Sequence, residues 1–482
     1  MPFFEITSKS VWWINILFAL LVVFLGRHKN PKSTLMWVMV LTFLPGLGII
    51  LYLLLGQDYR KRKMFELKEE QDEFINHIAL FQADFISKGK FFFNNEKTKD
   101  YYDLIKMNLE VDESFYTHDN EIDIFYWGRD KFESLLNDIE NAEKSIDIQY
   151  YIFRNDGIGR RIIRALERKA KEGVAVRFLY DGVGGRGLKK KDFSQLIKNG
   201  GEVNVFFPGL IRHLNIKLNY RNHRKIIVID NKIGYVGGFN VGDDYLGLFK
   251  NIGPWRDTHL RIRGSGVLGL KFRFLKDWQY ASATGLESEE ILSGSYNPDG
   301  NSGVQIITSG PDTQFENIKN TFFKMITSAK KEVYIQTPYF VPDEAIMDAL
   351  KTAIISGIDV NIMIPGNPDH PFVYWASLSY LGEILRAGGN VYLYKNGFLH
   401  CKAVIIDDYI STVGSANMDI RSFNLNFEVN AVVYDEMVNS SLKNQFKEDI
   451  KFSEEMTLED YDSRGKIVKI KESFSRLLSP IL

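Results

Sequence analysis

Two stretches of this chain carry the same ladder of polar residues, and that duplication constrains the fold more than any other feature. The first reads RNHRKIIVIDNKIGYVGGFN, with His223, Lys225, Asp230, Gly237, Gly238 and Asn240. The second reads FLHCKAVIIDDYISTVGSAN, with His400, Lys402, Asp407, Gly414, Ser415 and Asn417. The two superpose without a gap. A single His-x-Lys-x4-Asp arises by chance on the order of a few per cent of the time in a chain of this length, but two in register do not.

The sequence around the ladders repeats as well. AEKSIDIQYYIF (142–153) matches AKKEVYIQTPYF (329–340), with Gln149 and Gln336 in equivalent places. GVAVRFLYDG from Gly173 matches GIDVNIMIPG from Gly357, and GGEVNVFF from Gly200 matches GGNVYLYK from Gly388. Short apolar runs alternating with helical patterns imply α/β architecture, with a mostly parallel sheet at this point. Two long copies fit a pseudo-twofold pair better than a solenoid, which needs more and shorter repeats. The 482 residues allow about three domains or two large ones.

The N-terminus has a different character. Ser10–Gly26 and Leu35–Gly56 contain no charged residue, and Trp12, Trp13 and Trp37 lie near segment ends, where amphipathic rings favour an interface. A spanning helix needs roughly 20 apolar residues, so two membrane helices are expected. Pro45, Gly46 and Gly48 alternatively break the second segment into a re-entrant hairpin. Arg60, Lys61, Arg62 and Lys63 outnumber Arg27, Lys29 and Lys32, which places the flank after Gly56 in the cytoplasm. Cys401, the only cysteine, excludes an intrachain disulfide. The predicted divisions are an anchor (1–57), a juxtamembrane segment (58–110), a first half (111–283), a linker (284–303) and a second half (304–482).

Residues two apart on a strand face the same way, which sets His223 beside Lys225 and His400 beside Lys402. Two imidazoles, two ammonium groups and the amides of Asn240 and Asn417 facing across a pseudo-twofold axis make a cationic pocket for one phosphodiester. The formal net charge of -1 supplies no overall basic field for nucleic acid, so any anion site is local. Phosphodiester exchange without a metal needs a nucleophile, an acid for the leaving alkoxide and cations for the equatorial oxygens. Each histidine also needs a partner to fix its tautomer, and Asp257 in WRDTHLRIRG and Glu428 in NFEVNAVV stand at matching positions. Asp230 and Asp407 complete the ladders, but their places at strand-ending turns suit holding structure more than touching phosphate. His259 and His370 lack partners at metal-ligand spacing, so no metal site is expected. Cys401 falls on the strand face opposite His400, where a small buried apolar role is expected. Tyr339, Pro338 and Pro342 follow a strand end and suit either a site or core packing.

The paired motifs resemble the phospholipase D superfamily, and RNHRKIIVID with GGFNVGDDYLG resembles the bacterial cardiolipin synthases within it. The likeness extends to NPKSTLMWVMVLTFLPGLGIILYLLLG and to the terminal SFSRLLSPIL. It implies an α/β fold of two pseudo-twofold-related phospholipase D-like α-β-α domains with mixed sheets, preceded by two transmembrane or re-entrant helices. It further implies a bacterial membrane enzyme with no metal or other cofactor. His223 would be the nucleophile that forms a phosphohistidine, and His400 the acid. The implied reaction joins two phosphatidylglycerols into cardiolipin and releases glycerol. A hydrolase passing the same intermediate to water, and a nuclease, are the alternatives.

His223 lies 23 residues beyond Gly200, whereas His400 lies 12 beyond Gly388, so the first copy carries about eleven extra residues. That insert, FFPGLIRHLNIKLNY, mixes Phe206, Phe207, Leu210, Ile211, Leu214, Ile216 and Leu218 with Arg212, His213 and Lys217. It suits either an interfacial segment beside anionic lipid or a loop packed on the domain. Lys189, Lys190 and Lys191 are candidates for contact with anionic head groups.

Overall fold

The computed structural model describes residues 13–21, 31–55, 82, 84, 85, 88, 93, 95–207, 220–249, 253–282, 299–313, 315–367, 369–477 and 479. The chain forms two compact units, one of 1–70 with 209–219 and one of 71–208 with 220–482.

In the smaller unit the second apolar segment is not one rod. It forms the helices Pro31–Phe43 and Leu47–Leu55, of 13 and 9 residues. At 1.5 Å per residue these are roughly 20 and 14 Å long, short of the roughly 30 Å hydrocarbon core. No helix among the described residues is long and apolar enough to cross a membrane. Gly46, at φ +79°, adopts the left-handed conformation that suits glycine, and it follows Pro45, which has no N–H to continue the ladder. The second helix then folds back. A Cβ on Gly48 would lie 2.9 Å from the Val40 carbonyl oxygen, and Tyr52 meets the Trp37 ring edge-on with centroids 5.2 Å apart. Residues 15 positions apart on a straight helix would be roughly 22 Å apart. The second segment thus takes the expected alternative of a hairpin broken at Pro45–Gly48, preceded among the described residues by the helix 13–21. The basic residues 60–63 lie outside the described residues.

In the larger unit each copy of the repeat builds the same sheet. Ser145–Tyr150 is flanked by Ala175–Asp181 in parallel and by Ile226–Ile229 in antiparallel. Glu332–Gln336 is likewise flanked by Asp359–Pro365 in parallel and Ala403–Ile406 in antiparallel. Glu202–Phe206 and Asn390–Tyr394 extend the parallel sides. Antiparallel strands extend the others: Ile233–Gly237 and Trp255–Arg263 in the first half, Ile410–Gly414 and Asn426–Tyr434 in the second. The sheets are therefore mixed, and the parallel part is confined to three strands in each half. The ladder strand Ile226–Ile229 has all four residues buried, and so does Ala403–Ile406. Continuous apolar runs of this kind belong to strands covered on both faces.

Each half has its own core. Ile146, Ile148, Ile162, Leu166 and Phe178 lie in the first; Val333, Ile335, Leu350, Ile362 and Leu381 lie in the second. The helix Tyr102–Asp112, although it precedes the first half, places Leu104, Ile105 and Leu109 in the second core. Asp112 fastens it there by accepting from the Thr308 hydroxyl at 3.0 Å.

Among the described residues, three strand pairings join the halves. Thr117–Trp127 runs antiparallel to Ser302–Ser309. The other two are reciprocal: Arg221–Asn222 pairs in parallel with Asn426–Phe427, and Phe398–Leu399 pairs in parallel with Trp255–Arg256. The short strand leading into each histidine is thus hydrogen-bonded to the carboxylate-bearing strand of the other half.

Candidate active site

That exchange places the histidines. The His223 N–H donates to the Phe427 carbonyl at 2.9 Å, and the His400 N–H donates to the Arg256 carbonyl at 2.7 Å. One residue further on, Glu428 Oε2 lies 3.0 Å from His223 Nδ1, and Asp257 Oδ2 lies 2.7 Å from His400 Nδ1. Both carboxylates are fully buried. With Nδ1–H committed to a carboxylate, each imidazole carries its lone pair on Nε2, the nitrogen left for a substrate.

The two supports differ by one methylene and are packed accordingly. Glu428 also accepts from the Ser415 hydroxyl at 2.5 Å and from the Asn426 amide at 3.1 Å. Gly238 stands where Ser415 does, and a Cβ there would come within 2.0 Å of Asp257 Oδ1. Glycine accompanies the aspartate because a side chain at that position would displace it.

Lys225 Nζ donates to the His223 carbonyl at 2.6 Å, and Lys402 Nζ donates to the His400 carbonyl. Burial pushes Lys225 down to about 7 and lowers Lys402. Burial also pushes His400 down to about 4, helped by Lys402 and opposed by Asp257. It lowers His223 too, where Glu428 opposes and Lys225 and Lys402 assist. Both shifts favour the neutral imidazole in the free protein. Lysines of both halves act on each histidine, so the two ladders converge on one electropositive centre. Aromatic rings wall it: Tyr151 meets His223 edge-on with centroids 4.8 Å apart, and Trp255 lies 5.2 Å from His400.

Other candidates fall elsewhere. Asp230 and Asp407, grouped above with the ladder residues, cap backbone at the opposite strand ends. Asp230 accepts from the N–H groups of Glu143, Lys144 and Ser145, and Asp407 from those of Lys330, Lys331 and Glu332. Asn240 is occupied with the Ile152 N–H at 3.2 Å and the Tyr245 hydroxyl at 3.0 Å. The Asn417 N–H reaches the Ser422 hydroxyl at 3.3 Å. Cys401 is buried, 3.0 Å from the Thr258 hydroxyl. His259 is buried, with no hydrogen bond to either ring nitrogen among the described residues, and His370 is exposed. Tyr339 donates to Asp369 at 2.6 Å, and Asp369 in turn acts on Lys402, which sets the loop after Gln336 beside the centre. Phe206 and Phe207 of the insert pack on Phe427, with centroids 5.2 and 5.7 Å away, so the start of that segment is core and not interfacial. Residues 208–219 lie outside those described. Lys189, Lys190 and Lys191 are exposed. Among the described residues, no group of three or more His, Cys, Asp or Glu is placed to hold a metal ion.

A second layer escaped sequence reasoning. Arg224, between His223 and Lys225, is fully buried; it pairs with Asp277 at 2.7 Å and donates to the Glu428 carbonyl at 3.0 Å. Arg256, next to Asp257, pairs with Asp449 at 2.9 Å. The repeated glutamines complete both pairs, Gln149 donating to Asp277 at 2.7 Å and Gln336 to Asp449 at 2.8 Å. Burial alone would raise Asp277, but Arg224 and Arg273 hold it well below the usual carboxylate range. The recurrence of glutamine at one strand position was the signal in the sequence. Its acidic partners lie on helices beyond the repeated motifs.

This arrangement matches a known family. The model described as "Cardiolipin synthase, PLD-like domain" matches residues 135–251 and 322–450, and the "Phospholipase_D-nuclease N-terminal" model matches 13–57. The chain belongs to the phospholipase D-like cardiolipin synthase family. It is 49% identical over 475 residues to the major cardiolipin synthase ClsA of Bacillus subtilis, covering 97% of each chain. It is 46% identical over 482 residues to cardiolipin synthase 2 of Staphylococcus epidermidis, covering 99% of this chain and 98% of the relative. Among solved structures, the phosphatidylserine synthase of Haemophilus influenzae shares the fold, with a TM-score of 0.62 at 15% identity over 80% of this chain and all of the other. Membership places the two ladders in the two matched PLD-like segments.

Proposed function

We propose that this family member joins two phosphatidylglycerols into cardiolipin and glycerol, with His223 as nucleophile and His400 as acid and then base. The observation that carries the reading is the pair of imidazoles, each held at Nδ1 by a carboxylate of the other half, within one centre lined by Lys225 and Lys402. The 44–49% identity to relatives named cardiolipin synthase supports the substrate.

In the first step His223 Nε2 attacks phosphorus, the phosphorus–oxygen bond to the glycerol head group breaks, and His400 gives that oxygen its proton. In the second, a hydroxyl of another phosphatidylglycerol attacks the phosphohistidine, its proton passes to His400, and the phosphorus–nitrogen bond breaks. Burial favours neutral His400 before substrate arrives, and the charge of the phosphodiester anion raises its affinity for the required proton. Lys225 and Lys402 stabilise the charge on the equatorial oxygens. The halves act as one unit of 111–283 and 304–482. The hairpin within 1–57 holds them at a bacterial membrane, with the catalytic part on the cytoplasmic side.

Purified protein in phosphatidylglycerol vesicles is expected to release one glycerol for each cardiolipin formed, read by mass spectrometry and a glycerol assay. Phosphatidic acid as the main product would make the protein a hydrolase. Activity is also expected to survive EDTA, because ammonium and imidazole groups occupy the places where a metal-dependent transferase keeps its cations. Loss with EDTA and recovery with one defined metal would overturn that mechanism.

A further inference from the structure

The helix Lys466–Leu477 is built inside out. Ile467, Ile470, Phe474 and Leu477 are 71, 67, 56 and 74% exposed. Spaced three and four residues apart, they form one stripe along the helix. The side facing the protein is mostly polar: beside half-buried Val468, Glu472 and Ser475 are buried, and Glu472 takes an ion pair from Arg464 and a contact from the Tyr461 hydroxyl at 3.4 Å. The helix is anchored beside Pro371–Ala387, where Arg476 lies over the Tyr380 ring at 4.4 Å and Lys471 over the Trp375 ring at 5.2 Å. A helix kept in place by its polar face, with its apolar stripe turned outward, has not spent that stripe on folding.

We infer that this stripe is a lipid-contact surface that seats the catalytic unit on an anionic bilayer. Lys466 and Lys471 border the stripe on its two sides and are exposed, whereas Lys469 and Arg476, further round the helix, are tied back to the Asp462 carbonyl and to Glu383. Long basic side chains at the edges of an apolar face reach head groups while the apolar residues enter the acyl boundary. The only acid on the helix, Glu472, is already neutralised by Arg464. A second copy is a poor occupant, because two such helices would oppose their positive charges. Four side chains also fall far short of the roughly 1,200 Å² that a stable protein interface buries. The inference rests on the lipid-transfer reading but concerns a surface that this reading does not use.

The test uses full-length protein carrying Phe474→Cys or Ile470→Cys labelled with an environment-sensitive fluorophore; Cys401 is buried and escapes labelling. Glu448→Cys, on an exposed face of another helix, is the control. In vesicles containing phosphatidylglycerol the probes at 470 and 474 should shift to the blue and be quenched by brominated acyl chains, while the probe at 448 does neither. In phosphatidylcholine vesicles the shift should shrink. Probes at 470 and 474 that stay in water while cardiolipin still forms would sink this inference alone. A blue shift in detergent, together with a dimeric mass, would assign the stripe to a second copy and overturn it. Quenching without any cardiolipin formation would uphold the surface and sink the proposed reaction.

Discussion

Replacing His223 with asparagine should abolish formation of a phosphatidyl-enzyme, whereas replacing His400 should let one form slowly and persist. His400→Asn should lose about 10²- to 10⁴-fold in turnover, the usual consequence of removing a positioned acid or base, and His223→Asn, which lacks the nucleophile, should lose at least as much. Steady-state rates therefore cannot separate the roles. Trapping can. His223→Asn removes the Nε2 that attacks phosphorus, so labelled phosphatidylglycerol leaves no label on the protein. His400→Asn keeps the nucleophile but cannot protonate the departing glycerol or deprotonate the incoming hydroxyl, so label enters and leaves slowly. Acid-free quenching followed by peptide mapping reads the result. Label on His400 in the wild type, or on the His223→Asn protein, would reverse the assignment and leave the paired-histidine mechanism standing.

The second large effect follows from the exchange of carboxylates between halves. Asp257→Asn and Glu428→Gln keep the side-chain shape but remove the charge that accepts Nδ1–H and steadies the imidazolium. In a serine protease triad the same kind of change costs about 10⁴-fold; a loss of about 10²- to 10⁴-fold is expected here. The informative part is the pattern. Glu428→Gln should behave like His223→Asn, with little label trapped, because Glu428 bonds His223 at 3.0 Å. Asp257→Asn should behave like His400→Asn and hold its label, because Asp257 bonds His400 at 2.7 Å. Each double variant that joins a histidine to its own partner should fall little below the histidine variant alone, since the two act together. The opposite trapping pattern would mean that each carboxylate serves the histidine of its own half. Melting temperatures near the wild-type value would show that catalysis, not folding, has changed.

Around this centre the arginines explain how the exchange is held in register. Arg224 joins the His223 strand to Asp277 and to the Glu428 carbonyl; Arg256 sits next to Asp257 and is tied to Asp449. One arginine comes from a histidine strand and the other from a carboxylate strand, so the pseudo-symmetry is kept in function and broken in sequence. That is why the repeat exposed Gln149 and Gln336 but not the ion pairs they complete. Buried pairs of this kind are costly to break, about 3–5 kcal/mol when one partner is lost, because the other charge remains in the interior.

The sequence by itself determined what local pattern controls. The four-residue apolar runs IIVI and AVII, each between the ladder lysine and aspartate, had to be buried strands, and the constant spacing from His223 to Asn240 recurred from His400 to Asn417 because the same strand–turn–strand unit was built twice. The residue types named the chemistry, and Asp257 and Glu428 were recognisable from their matching positions. Tertiary structure alone decided which carboxylate meets which histidine. The partners lie 205 and 143 residues apart, and nothing local distinguishes a pairing within a half from one between halves. Short strands that cross to the other half settle it, through backbone hydrogen bonds whose register no periodicity records. The second apolar segment shows the same division. Its composition fits a span and its Pro45, Gly46 and Gly48 mark a candidate break; only packing decides between them, through a reversal at Pro45 and Gly46 that brings Tyr52 back onto Trp37. The helix Lys466–Leu477 is amphipathic in any reading of its sequence, yet only packing reveals that its polar side faces the protein, because hydrophobic periodicity specifies that a stripe exists and not what covers it.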